Sequence, residues 1–242
     1  MPDRALALRG LLREVETEAR RAPFDQCLDT YREAGRDPAV PILCAGSLDA
    51  RFCALGRELG REEVLLGEPL VGTGGRRFRR AFHDAALAPS LGPAPKSERR
   101  FSAVLDRVLL TNLVPYRPVA NRAYDRATVA RFRPFVETLL TDLWTGTTLL
   151  ALGETSLRWL APYAAPGAVE AVWSNPARRF AETLAVTIRG RRLVVAVLPH
   201  PSPLSPFKKD FAAHLARRVA AAPPVSVARP RSSGTARGSS GP

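Results

Sequence analysis

The chain has 242 residues, of which 45% are hydrophobic and 24% charged, a length and balance that suit one large globular domain and exclude wholesale disorder. Its three cysteines, Cys27, Cys44 and Cys53, form no CxxC pair and give neither a disulfide framework nor a zinc ribbon, while no apolar run approaches the roughly 18 residues of a membrane span. Lys and Arg outnumber Asp and Glu by 36 to 23, for a net charge of +13; such an excess attracts polyanions, of which nucleic acid is the commonest inside a cell.

In chain order, residues 5–19 place apolar side chains at 5, 7, 8, 11, 12 and 15, one face of an amphipathic helix rather than the apolar core of a targeting peptide. A soluble, reducing, cytoplasmic setting is therefore expected. Residues 41–46 (PILCAG) predict a strand stopped by glycine, with helical spacing from there to Leu59. Residues 67–75 (GEPLVGTGG) predict a turn that opens a helix, and 88–100 an exposed loop inside the same domain. A second strand over 107–112 ends at a loop rich in Pro and Asn, followed by a helix over 128–143. A third strand over 147–153 leads into a helix over 154–160; a fourth over 193–198 leads through a Pro-rich loop into a last helix over 206–220. Residues 221–242 are rich in Pro, Ser, Gly and Arg and predict a disordered tail. The tail holds three arginines and no acid, so the body keeps +10. Continuous apolar strands separated by helices define the α/β class. The expected fold is a single three-layer αβα domain over 1–220, with a mostly parallel four-stranded central sheet. Ligands of such folds bind beyond the carboxyl ends of the strands, which directs attention to the segments after Ala45, Leu110, Ala151 and Leu198.

Three strings carry candidate chemistry. Gly67 and Gly72 match GxxxxG, but Thr73-Gly74 stands where a phosphate loop needs Lys and a hydroxyl residue, and Arg77 takes the third glycine position of GxGxxG. Nucleoside triphosphate chemistry is excluded on that basis. Gly72, Gly74 and Gly75 still permit close approach of backbone to a phosphate, beside Arg76 and the basic residues after it; the same string equally fits a plain turn followed by a solvated arginine face. Asn112, at the end of the second strand, offers one acceptor and two donors to a ligand, or holds its loop through the backbone. In the third string, prolines 199, 201 and 203 bracket His200 and Ser202, a stiff frame at a strand end that marks His200 as functional. His83 and His214 lie within helical patterns and read as structural.

Taken in order, the strings over about 41–211 resemble the uracil-DNA glycosylase superfamily. HPSPLS at 200–205 is similar to the histidine motif of its best-known branch. GEPLVGTGG resembles the GxPFVGxxG of the iron–sulfur branch, TNLVPYRPVANR at 111–122 its TNxxxCRPPxNR, and LLALGETSLRWL at 149–160 its LGxxAxxxLL. Tyr116 and Arg133 stand where that branch has cysteines, so no cluster, metal or cofactor is expected. By this alignment the superfamily's first motif (GQDPY, GEAPG or GINPG) falls on GSLDA at 46–50, which assigns the positioning of water to Asp49 or Ser47. The base-stacking position falls on Leu70, with Phe52 as the aromatic alternative. The resemblance implies a monofunctional DNA glycosylase that removes uracil or a related deaminated base. In it Asn112 reads the base and His200 stabilises its departure. Leu204 fills the vacated space, while Ser202, Gly72, Gly74, Gly75 and Arg76 hold the DNA backbone. The expected partner is lesion-containing DNA, met by a monomer at the nucleoid and away from membranes. A catalytically weak lesion-binding member and an α/β enzyme for an anionic small molecule are the alternatives.

Overall fold

The computed structural model describes residues 3–94 and 97–221, so the tail expected beyond 221 lies outside the described residues. Six strands, β1 (Cys44–Ala45), β2 (Phe52–Gly56), β3 (Val108–Asn112), β4 (Thr148–Leu152), β5 (Thr183–Ile188) and β6 (Arg191–Leu198), form one sheet in the order β1-β3-β2-β4-β6-β5. The pairs β3-β2, β2-β4 and β4-β6 are parallel. The edge strands β1 and β5 are antiparallel. The helices are α1 (Arg4–Arg21), α2 (Leu28–Glu33), α3 (Arg61–Leu66), α4 (Thr73–Ala86), α5 (Ala88–Leu91), α6 (Arg126–Thr138), α7 (Glu154–Trp159), α8 (Ala168–Ser174), α9 (Pro176–Arg179) and α10 (Phe211–Ala220).

The pleat divides the core into two layers. Cys53, Leu55, Leu109, Leu149, Ala151, Val195 and Val197 pack on one side with residues of α1, α6, α7 and α8. Phe52, Ala54, Val108, Leu110, Leu150, Leu152, Ala196 and Leu198 pack on the other with Phe78 and Phe82 of α4 and Phe211 and Leu215 of α10. The fold is thus α/β in three layers, as the apolar strands implied. The sheet has six strands rather than the expected four; its parallel core does have four, but one of them lies elsewhere in the chain than expected.

That difference reaches the site. Residues 52–56 were expected to be helical, yet all five are buried in β2, paired on both sides by parallel neighbours. Burying an apolar side chain such as Phe52 or Leu55 on both sheet faces contributes roughly 1.5–3 kcal/mol each, which outweighs any local helical preference. The run at 41–46 forms only the two-residue edge strand β1. β5 was not foreseen, although its burial alternates strictly from Thr183 to Ile188. It turns into β6 through Arg189 and Gly190, both at positive φ, the signature of a tight hairpin. The helix expected over 128–143 is interrupted: α6 ends at Thr138 and a wider π turn covers Leu139–Leu143. No helix among the described residues is long and apolar enough to cross a membrane.

The two positions where a cluster would need cysteines are occupied by packing. Tyr116 is buried against Phe24 and Phe132, with ring centroids at 5.2 Å from each, and its hydroxyl donates to the Ala39 carbonyl at 2.8 Å. The Arg133 guanidinium lies 4.4 Å over the Trp159 ring and donates to the Trp159 carbonyl and the Tyr163 hydroxyl, both at 2.9 Å. Among the described residues, no group of three His, Cys, Asp or Glu side chains is placed to hold a metal ion.

Candidate active site

Parallel pairing sets the carboxyl ends of β2 and β3 side by side, with Gly56 in register with Asn112. Beyond them opens a cavity of about 360 Å³. Its floor is Gly56, Asn112 and Leu70; the segment 57–63, the turn at 72–75, Arg117 and residues 200–203 complete the wall. Asn112 is 1% exposed, and neither its Oδ1 nor its Nδ2 has a hydrogen-bond partner among the described residues. Orphaned buried polar atoms cost about 1–3 kcal/mol each, so a loop-holding role does not account for this amide. Glycine at 56 is required here, because a Cβ would stand 2.1 Å from Asn112 Oδ1.

His200 enters from the end of β6, over Gly153, where a Cβ would approach its own Cβ to 3.0 Å. The backbone N–H of Ser202 donates to His200 Nδ1 at 3.2 Å, which leaves the proton of a neutral ring on Nε2. Burial, and secondarily the charge of Arg57, pushes the His200 pKa down to about 4. The imidazole is therefore neutral at pH 7 and donates through one nitrogen.

The glycine turn is held from beneath. Gly72 caps α4 and donates its N–H to the buried Glu63 Oε1 at 3.0 Å, and a Cβ on Gly75 would collide with the Leu70 backbone at 2.0 Å. Fully buried Arg79 donates to the carbonyls of Leu70 (2.7 Å), Pro69 (2.9 Å) and Arg100 (3.1 Å) and pairs with Glu68 at 2.5 Å. This clamp fixes Leu70 at positive φ, with Cδ2 over Gly56. The surface that meets a ligand's face there is aliphatic.

Of the expected site residues, the structure brings Asn112, His200, Leu70, Gly72, Gly74, Gly75 and Ser202 to this one cavity. Leu204 stands 93% exposed on the rim of an adjoining cavity, and its N–H donates to Ser202 Oγ at 3.2 Å. Arg76 is turned away: it pairs with Glu62 and donates to Thr73 Oγ1, on a basic rim with Arg77, Arg80 and Arg99. Asp49, Ser47 and Phe52 are corrections. Ser47 and Asp49 precede β2 and Phe52 is its first residue, so all three lie at the amino end of the parallel strands. Asp49, its side chain 66% exposed, pairs with Arg4 at 2.6 Å, which holds its carboxyl below the usual range. Ser47 Oγ accepts the Asp49 N–H at 3.1 Å in a local turn. The Phe52 ring packs against Phe82 at a centroid distance of 5.8 Å, inside the core.

The segment that follows the first parallel strand is Gly56-Arg57-Glu58-Leu59-Gly60. It keeps both glycines of the GEAPG form of the first motif and places an acid, Glu58, third, as GQDPY does. Glu58 lines the cavity, bound by Arg57 Nε at 2.5 Å, and burial pushes its pKa up to about 7 against the lowering pull of Arg57. Arg117 is the other residue not anticipated. It is buried, and its Nε and Nη1 have no hydrogen-bond partner among the described residues. The glycine spacing in 56–60 was a readable signal for Glu58, and Arg117 matches the arginine of TNxxxCRPPxNR, a position to which the sequence reading gave no role.

A family model described as Uracil DNA glycosylase superfamily matches residues 45–221 of the chain. No curated protein matches it.

Proposed function

The chain belongs to the uracil-DNA glycosylase superfamily, and from that premise we propose that it hydrolyses the N-glycosidic bond of uracil, or of a related deaminated base, flipped out of DNA. The observation that carries the reading is the unpartnered amide of Asn112, buried in the same cavity as a neutral His200. A base within the stack cannot reach such a cavity, so the nucleotide is extruded at a cost of a few kcal/mol. Asn112 donates to the carbonyl at position 4 of uracil and accepts from the N–H at position 3; cytosine presents the opposite pattern there. As the C1′–N1 bond breaks, its electron pair passes to the base. His200 Nε2–H donates to the negative charge developing on the base oxygen, in the manner of an oxyanion-hole donor. The buried guanidinium of Arg117 makes the cavity still more favourable to an anion.

Water then bonds to C1′ and gives up a proton. Glu58, in place of Asp49 or Ser47, orients that water, takes the proton and offsets the positive charge on the sugar. Leu204 fills the gap left in the stack, and the basic rim from Arg76 to Arg99 meets the phosphates. The protein works as a monomer at the nucleoid. The test is a labelled oligonucleotide with one uracil, incubated with the protein and treated with alkali. Scission at the uracil is the expected result, and intact strands refute the activity. One observation favours the second reading, a lesion-binding member without catalysis: Arg57 stands second in the first motif, where GEAPG has its acid, and ties up Glu58. That reading gives a gel shift without scission.

A further inference from the structure

Beyond the carboxyl ends of β4 and β6 lies a second cavity, of about 400 Å³, to which Trp173, Leu204 and Phe207 contribute. Arg57, His200 and Ser202 line it as well as the first cavity, so one layer of side chains separates the two. Its aromatic wall is held rigidly. The Arg179 guanidinium lies 4.6 Å over the Trp173 ring and 5.3 Å over the Phe207 ring, and its Nε donates to the Trp173 carbonyl at 2.6 Å. Phe180 braces both rings edge-on, at 6.2 Å from Trp173 and 5.4 Å from Phe207. Phe207 is nonetheless 36% exposed, and Leu204 at the rim is almost fully so. None of these aromatic groups has a part in holding or cleaving the base in the first cavity.

Rigid aromatic rings joined by a guanidinium are the chemistry on which unpaired bases stack. Such stacking is tolerant of sequence because every base has a π face. We propose that this second cavity holds the base that adjoins the flipped nucleotide on one side, stacked against Trp173 and Phe207. The protein then opens two neighbouring nucleotides and favours single-stranded or locally unpaired DNA over a fully paired duplex. The inference rests on the glycosylase reading for what occupies the first cavity, and on its own aromatic wall for the second.

The test uses single-stranded oligonucleotides that carry 2′-fluoro-2′-deoxyuridine, whose glycosidic bond resists cleavage. A tetrahydrofuran abasic residue replaces the base on one side or the other, and affinity is read by fluorescence anisotropy. Loss of one flanking base, and not the other, is expected to weaken binding by roughly 5- to 100-fold, the range for one base–aromatic stack. Phe207→Ala and Trp173→Ala should weaken binding to the intact strand comparably and remove most of the penalty for the abasic neighbour, while Trp173→Phe retains both. Phe207, at the surface, carries the test if Trp173→Ala does not fold. Equal penalties in wild type and variants, or none at either side, would overturn the proposal. Excision from the matching uracil strand separates the two readings. Excision without a flanking effect removes the aromatic subsite alone, and a flanking effect without excision removes the glycosylase activity alone. Failure to bind any strand removes both.

Discussion

At His200 the ring nitrogen Nδ1 already accepts the Ser202 amide, so the side chain has one proton to offer and one direction in which to offer it. Removing that donor by His200→Ala should lower single-turnover excision on the order of 100-fold or more, the usual scale for one charge-stabilising hydrogen bond, with far less effect on binding of uracil-containing DNA. Unchanged excision would remove His200 from the mechanism. Glu58, in the wall of the same cavity, is expected to set the pH dependence. Burial raises this carboxyl from an ordinary 4.5 to about 7, so the folded protein keeps a proton that the unfolded chain has lost between those values. The ionised form needed to take a proton from water accumulates only as pH rises through about 7, and single-turnover excision should rise with it. The same shift means that Glu58 subtracts from stability as pH climbs from about 4.5 to 7. His200, lowered from 6.5 to about 4, costs stability in the other direction, as pH falls through that interval. Glu58→Gln should abolish the rising limb of the rate profile and slow excision; a profile that keeps its limb in the variant assigns it to another group.

At the scale of elements, the site depends on how closely β2 and β3 approach at their carboxyl ends. Gly56 and Asn112 are paired across the ladder, and the amide lies directly over the glycine. Gly56→Ala places a methyl group 2.1 Å from Asn112 Oδ1, and the amide must rotate away. Excision of uracil should fall by on the order of 10- to 100-fold, the loss of a positioned base contact worth about 1–3 kcal/mol. Far-UV circular dichroism should be unchanged, since the strand itself tolerates alanine. Wild-type excision by this variant would show that Asn112 does not read the base. The glycine turn before α4 depends on the same kind of close approach at Gly75, and on the Arg79 clamp beneath it.

Over the whole molecule, charge sets the range and salt sensitivity of DNA capture. The net charge of +13 includes only three arginines from the tail, and the body has its own basic rim at Arg76, Arg77, Arg80 and Arg99. Log affinity for duplex DNA should therefore fall linearly with log salt, with a slope of about −0.9 per phosphate neutralised. Deletion of residues 222–242 should leave most of that slope. A slope that vanishes on deletion would place the binding in the tail rather than the folded body.

Some of this was determined by the sequence alone. The apolar runs at 107–112, 147–153 and 193–198 have no polar face to give to solvent, so they dictate a sheet covered on both sides, and with it the α/β class. His200 in its frame of prolines and Asn112 at a strand end were legible for a related reason: their place is set within a few residues of a strand whose own signal is strong. Helical spacing after 46 hid β2, because short apolar runs fit either period and only lateral pairing with β3 and β4 decides between them. That single reassignment shifts the carboxyl end of the first parallel strand from 46 to 56, leaves Asp49, Ser47 and Phe52 away from the cavity and puts Glu58 in its wall. The alternation at Thr183–Ile188 is by contrast a local signal, the period of a half-buried strand. The burial of Arg117 with Nε and Nη1 unpaired, and the joining of Trp173 with Phe207 by Arg179, arise from the packing of segments distant in the chain. Only the tertiary structure decides those, because local sequence carries no record of which side chains a fold will bring together or leave unpaired.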